Sequence, residues 1–278
     1  MTTLELSVVL AAASVVAGFL GSLTGLGGGV VIIPLLTLGM GIDIRYAIGA
    51  SLVTVIATSS GAAAAYVREG FSNIRIGMFL EVATTLGALA GAAIALRVGP
   101  AVIAIIFGCV LLYSAYQTFR AAPADHENVP AGRLATRLGM NGTFPTPSGP
   151  RAYNVRAVPG GFGLMAVAGV LSGLLGIGSG ALKVIAMDRI MKIPFKVSTT
   201  TSNFMIGVTA AASAGVYLNR GYIDPGLAMP IVLGVLGGSV LGARFLAGAR
   251  TRVLRIVFAL TIAALGAEMI YKGVGGGL

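Results

Sequence analysis

Lys183 is the residue whose type and position most demand a chemical role. It lies three residues past Gly180, between Leu182 and Val184, in an otherwise apolar stretch. A lysine within a membrane costs about 2.5–3.5 kcal/mol on insertion scales, and residues held there at that cost serve a substrate or a partner. An ammonium at this depth can neutralise a small anion. It can also pair with Asp188 or extend its stem toward the nearer membrane surface. Glu81 is a second ionisable group in an apolar run, between Leu80 and Val82. It can carry a coupling proton, bridge to an arginine, or face water.

Two glycine-rich bends offer a different kind of anion chemistry. Gly25, Gly27, Gly28 and Gly29 form the first, and Gly176, Gly178, Ser179 and Gly180 the second. A helix that begins inside a membrane presents free N–H groups and about half a positive charge, and anions bind at such ends. Small residues also let helix backbones approach one another, which is the competing explanation. The glycines are not a dinucleotide fingerprint, because a preceding strand and a downstream acidic residue are missing. Hydroxyls supply the remaining polar groups. Residues 198–203 read Ser-Thr-Thr-Thr-Ser-Asn, with Thr199 and Asn203 one turn apart and Ser198 and Ser202 likewise. Ser51, Thr54 and Thr58 share one helix face at i, i+3 and i+7. Such groups bond an oxyanion or bond helix to helix.

These groups sit in a chain that cannot dissolve. Of its 278 residues 56% are hydrophobic and only 10% charged, against about 25% charged in soluble proteins. Glycine numbers 42 without a G-X-Y period, which excludes collagen, and the hydrophobicity excludes disorder. A polytopic helical membrane protein remains. The net charge of +10 follows from basic residues that set membrane orientation, so nucleic acid is not expected as a partner. Cys109 and His126 are the only residues of their kinds, leaving no disulfide, thiol-metal or histidine site. Neither paired carboxylates nor a metal-ligand cluster is visible, so no enzyme, metal or cofactor is expected.

The elements that position the polar groups come as a repeat. With an offset of 151 residues, Gly18 falls on Gly169, Gly25 on Gly176, Gly29 on Gly180, Ser51 on Ser202, Thr58 on Thr209, Tyr66 on Tyr217 and Met78 on Met229. Each unit reads as five helical elements. The first has them near 5–24, 28–40, 45–67, 74–96 and 100–120, the second near 158–175, 179–192, 196–218, 225–247 and 252–271. The second element of each, at about 13 residues or roughly 20 Å, is too short to cross a core of about 30 Å. It is expected to form a hairpin with the first, its glycine bend within the membrane. The units are 1–120 and 158–278, joined by a proline-bearing linker, 121–157, which reads as a loop.

Charge orients the chain. With the linker in the cytoplasm, one face receives Arg68, Arg75, Arg189, Lys192, Lys196, Arg244, Arg250, Arg252, Arg255 and the linker arginines. The other receives Arg45, Arg97, Arg220 and Lys272. This is a positive-inside pattern, with both termini outside. An odd number of elements per unit places the two units upside down to each other, as in secondary transporters. The N-terminal run lacks a basic segment and has a mid-chain counterpart in 158–176, so a cleaved signal peptide is not expected.

The residues from 18 to 34, then Ser51, then Arg68-Glu-Gly-Phe, repeated as 169–180, Ser202 and Asn219-Arg-Gly-Tyr-Ile-Asp, resemble the sulfite exporter TauE/SafE family. The resemblance covers both halves but not the linker. It implies a bacterial or archaeal inner-membrane carrier of sulfur-containing anions such as sulfite, thiosulfate or organosulfonates. The first half departs from the second at Ile32, where the second has Lys183, and at residues 47–50, where Ala-Ile-Gly-Ala stands for Ser-Thr-Thr-Thr. The expectation is therefore an all-α polytopic membrane protein of two inverted repeats, each a glycine-bend hairpin plus three transmembrane helices. It would move its anion by alternating access, with a proton as the coupling ion through Glu81. Both glycine bends, Ser51, Lys183, Thr199, Ser202 and Asn203 would line the site. An anion channel and a non-transporting assembly partner are the alternatives. Apart from the anion and the bilayer, no partner is implied.

Overall fold

The computed structural model describes residues 3–22, 29–68, 70–120, 130–146, 149–246 and 251–276. Eleven helices and one hairpin occur among them: α1 (Thr3–Ser22), α2 (Gly29–Pro34), α3 (Ile44–Arg68), α4 (Ile74–Ala95), α5 (Pro100–Arg120), α6 (Arg133–Arg137), β1 (Gly142–Thr146), β2 (Gly149–Tyr153), α7 (Val158–Leu175), α8 (Gly180–Ile185), α9 (Phe195–Asn219), α10 (Pro225–Leu246) and α11 (Thr251–Val274). The chain's punctuation sets the starts. Pro100 and Pro225 begin their helices, where a missing N–H costs nothing, and Asn73 caps α4 by accepting from the Ile76 N–H at 3.1 Å.

Among the described residues, three helices are long and apolar enough to cross a membrane: Ile74–Ala95, Pro100–Gln117 and Val158–Leu175. Their outward faces are greasy. Met78, Val82 and Leu86 are exposed along α4, and Met229, Leu233 and Val240 along α10, as lipid contact requires. The short second elements are longer than α2 and α8 alone. Each continues as one wide π-helical turn, Leu35–Gly39 and Ala186–Ile190, at repeat-equivalent positions. The same wide bond closes both, from Ile42 N–H to the Leu36 carbonyl and from Ile193 N–H to the Met187 carbonyl.

Helices pair mostly across the two halves: α1 with α10, α7 with α4, α3 with α9 and α5 with α11. Glycines make the close approaches. A Cβ on Gly18 would strike the Val235 backbone, and one on Gly169 the Thr84 backbone; Gly238 meets Val15 and Phe19 just as Gly87 meets Ala166 and Val170. Without a hydrophobic drive between helices in lipid, such backbone-to-backbone packing holds them together. For these glycines, packing is the role.

The linker is more than a loop. Its β1 and β2 pair antiparallel, from Gly142 opposite Tyr153 to Thr146 opposite Gly149. Tyr153, Val155, Ala135 and Met140 bury themselves against Ile76, Leu80, Met187, Met191 and Val197. The Asn73 amide donates to the Tyr153 hydroxyl at 2.7 Å and to the Met140 carbonyl at 3.1 Å. Prolines masked this order in the sequence: Pro145 faces Pro150 on the short ribbon, where missing donors are tolerated at an edge. The hairpin therefore closes one end of the bundle, at the start of α4 and α9.

Candidate functional site

The second glycine bend is built from backbone that side chains resist. Gly176 ends α7 with φ +68°, and Gly178 and Ser179 follow at +73° and +48°. A Cβ on Gly176 would meet Ile48 of α3 and one on Gly178 would meet Ile206 of α9, both at 2.7 Å. The bend is thus wedged between α3 and α9. Both repeat-equivalent serines hold it. Ser51 donates to the Gly176 carbonyl at 2.9 Å and Ser202 to the Gly180 carbonyl at 3.3 Å. Gly29, the one described member of the first bend, lies against Ser51 and Val55. Gly25, Gly27 and Gly28 lie outside the described residues.

Past the bend, α8 carries Lys183 into the interior with no exposed surface. Its ammonium donates to Thr209 Oγ1 at 2.6 Å, and Thr209 Oγ1 lies 2.7 Å from Glu81 Oε1. Thr209 is fully buried and Glu81 is 8% exposed. Through Thr209, Glu81 rather than Asp188 is the carboxylate joined to the buried lysine. Thr85 adds a hydroxyl to Glu81 Oε1 at 3.2 Å, while Oε2 has no partner among the described residues. A threonine hydroxyl has one proton and can accept as it donates. Accepting from Lys183 and donating to Glu81, Thr209 completes a continuous hydrogen-bonded line between cation and anion.

The structure brings some expected residues together and leaves others apart. Lys183 and Glu81 share one cluster, with Glu81 contributed by α4 of the first half. Ser51 and Ser202 stay on the bend. Thr199 is half-buried and returns its hydroxyl to the Phe195 carbonyl at 2.8 Å, and Asn203 is half-buried. Its neighbours stitch helix to loop: Ser198 donates to the Ile193 carbonyl, Thr200 to the Phe71 carbonyl, and Thr201 accepts from the Asn73 N–H. The residue that sequence reasoning missed is Thr209. Its signal was present, for Ser202 and Thr209 repeat the i, i+7 spacing of Ser51 and Thr58.

Apolar helices that expose greasy faces and bury a lysine and a glutamate between them define a polytopic membrane protein. The chain belongs to the family described as Sulfite exporter TauE/SafE, whose profile matches residues 10–269. It is 28% identical over 275 residues to the Probable membrane transporter protein YunE of Bacillus subtilis (strain 168), covering 96% of this chain and 98% of that one. YdhB of the same organism, named likewise, is 26% identical over 92% of this chain and 96% of its own length. A Probable membrane transporter protein of Xylella fastidiosa (strain 9a5c) is 26% identical over 98% and 97%. No solved structure matches the chain. The protein is a membrane transporter of the TauE/SafE type.

Proposed function

We propose that the protein is a secondary transporter of a small sulfur-containing anion, sulfite, thiosulfate or an organosulfonate, across the inner membrane. Two inverted repeats, residues 1–120 and 158–278, rock against each other around a site at Lys183. The reciprocal helix pairing and the matching glycine contacts support that arrangement. The linker, 121–157, lies in the cytoplasm and both termini outside. The glycine bends, with Ser51 and Ser202 holding the second, flank the site around the lysine. The single observation that carries the reading is the buried line Lys183–Thr209–Glu81. With Glu81 ionised, Lys183 is already neutralised and an anion gains little. A proton on Glu81 frees the charge of Lys183 for the anion, so proton and anion enter together and the site stays neutral.

The test is uptake into proteoliposomes with sulfite, thiosulfate and sulfonates under an imposed pH step. Uptake should rise as the pH falls on the side the anion enters. Glu81→Gln, which keeps an oxygen for Thr209 but cannot titrate, should flatten that dependence; an unchanged pH profile removes Glu81 from coupling. Saturation with counterflow marks a carrier, and non-saturating flux a channel. Thr143→Cys in a Cys109→Ser background, labelled only from the cytoplasmic side, checks the topology.

A further inference from the structure

Arg45, Arg97, Arg220 and Lys272 gather at the end of the molecule away from the hairpin, and two of them are committed. Arg45 donates to the Val98 carbonyl at 2.9 Å and sits over the Tyr222 ring. Lys272 reaches the Leu38 carbonyl and lies 3.9 Å from Glu268. Arg97 and Arg220 have exposed side chains with no bond or ion pair among the described residues. Both line a single cavity of about 600 Å³ between the last turns of α4 and α9, together with Asn219 and without any carboxylate.

The cavity runs along both helices. Its walls include Ala212 and Gly215 of α9 and Leu89 of α4. Ala212 is less than one turn beyond Thr209, the middle of the Lys183–Glu81 line. From Thr209 to Arg220 the helix rises by roughly 16 Å. At the other end of the same helix pair the groove is closed: Asn73 bonds Thr201 at 3.0 Å, and Gly77 packs on Phe204 and Thr201. Cations at helix C-termini also complement the helix dipole, but that role requires no shared cavity.

We propose that Arg97 and Arg220 form the anion-recruiting mouth of the Lys183 site, taking small oxyanions such as sulfite or sulfonates into the α4–α9 cavity. The inference rests on the transport reading above and adds where the anion enters. Two guanidinium groups at a concave opening raise the local anion concentration and the capture rate, each able to hold an oxyanion through paired N–H groups. Being exposed, they act chiefly on capture, and salt weakens them.

One experiment reads the mouth without needing transport. A Cβ at Gly215 meets nothing within 4 Å, so Gly215→Cys in the full-length Cys109→Ser protein places a thiol on the cavity wall. Its reaction rates with a sulfonate-bearing and a trimethylammonium-bearing methanethiosulfonate are compared at low ionic strength. Adding Arg97→Gln and Arg220→Gln should lower the anionic-to-cationic rate ratio roughly tenfold, from Coulomb terms of two charges at close range. High salt should do the same to the parent. A ratio indifferent to both arginines, or a thiol unreactive to both reagents, overturns the proposal. In a second arm, sulfite uptake by the double arginine variant should fall severalfold more at low concentration than at saturation; equal losses count against the mouth. If the parent takes up no sulfite while the reagent ratio behaves as expected, the transport reading fails for that ion and the mouth stands.

Discussion

The two halves share one scaffold but not one chemistry. Repeat-equivalent glycines make repeat-equivalent contacts, and both short elements widen at the same turn. Yet where the second half buries Lys183, the first buries Ile32 with no exposed surface. Where the first half has Glu81, the second has Val232. Thr209 reaches across to Glu81, whereas Thr58 bonds back to the Thr54 carbonyl of its own helix at 3.0 Å. Each half thus keeps one member of an ion pair and has an aliphatic residue at the other's place. The site belongs to neither half alone, and packing symmetry is compatible with a single asymmetric charge centre.

Making the halves alike should break function most. Lys183→Ile copies Ile32 into the second half, leaving Glu81 without its counter-ion. Uptake should fall at least 100-fold with the folded protein still recovered from the membrane, since the replacement is apolar and Glu81 can protonate. Retained uptake would place the anion elsewhere.

The reverse copy should cost stability. Ile32→Lys puts a cation in an apolar core at the repeat equivalent of Lys183, at about 2.5–3.5 kcal/mol, so thermal unfolding in detergent should drop by several degrees. Adding Val232→Glu, at the repeat equivalent of Glu81, supplies the missing carboxylate and should recover part of that loss. A double variant no better than the single would show that the first-half position cannot host the pair.

A smaller effect separates the two threonines. Thr209→Val interrupts the line between Lys183 and Glu81 and should reduce uptake about tenfold. Thr58→Val removes only a hydroxyl bonded within its own helix and should change uptake less than twofold. Equal effects would mean that Thr209 serves helix packing alone.

The contrast also explains what was legible in sequence. Helix positions followed from apolar runs and prolines, so α4 at Ile74–Ala95 lies within the expected 74–96. Lys183 and Glu81 were each recognisable as costly residues in apolar runs. Their meeting was not, because it depends on α4 of one half lying against α9 of the other, a cross-half contact that periodicity does not encode. Thr209 was hidden for the same reason: a hydroxyl in a serine- and threonine-rich helix ordinarily donates to the carbonyl one turn back, and the Met205 carbonyl, 2.9 Å from Thr209 Oγ1, is the rival acceptor for the one proton that Thr209 gives Glu81. The linker escaped because its order rests on Asn73 and Ile76 of α4, far along the chain.

The hairpin gives the smallest and most local test of how the ends of the α4–α9 groove differ. At the arginine end the helices part around a cavity; at the hairpin end Asn73 joins Tyr153, the Met140 carbonyl and Thr201. Burial pushes the Tyr153 phenol above its ordinary value, so its hydroxyl stays neutral across the working pH range and accepts the Asn73 N–H. Tyr153→Phe keeps the ring packed near Phe144 and deletes one partly buried hydrogen bond, worth about 1 kcal/mol. Thermal stability should fall by a few degrees, with no change in the deficit between pH 6 and 9, because the lost group does not titrate there. If the hairpin serves only as a lid, uptake should be almost unaffected. A larger loss of uptake than of stability would mean that Asn73 relays the state of the hairpin through Thr201 to α9, which also carries Thr209.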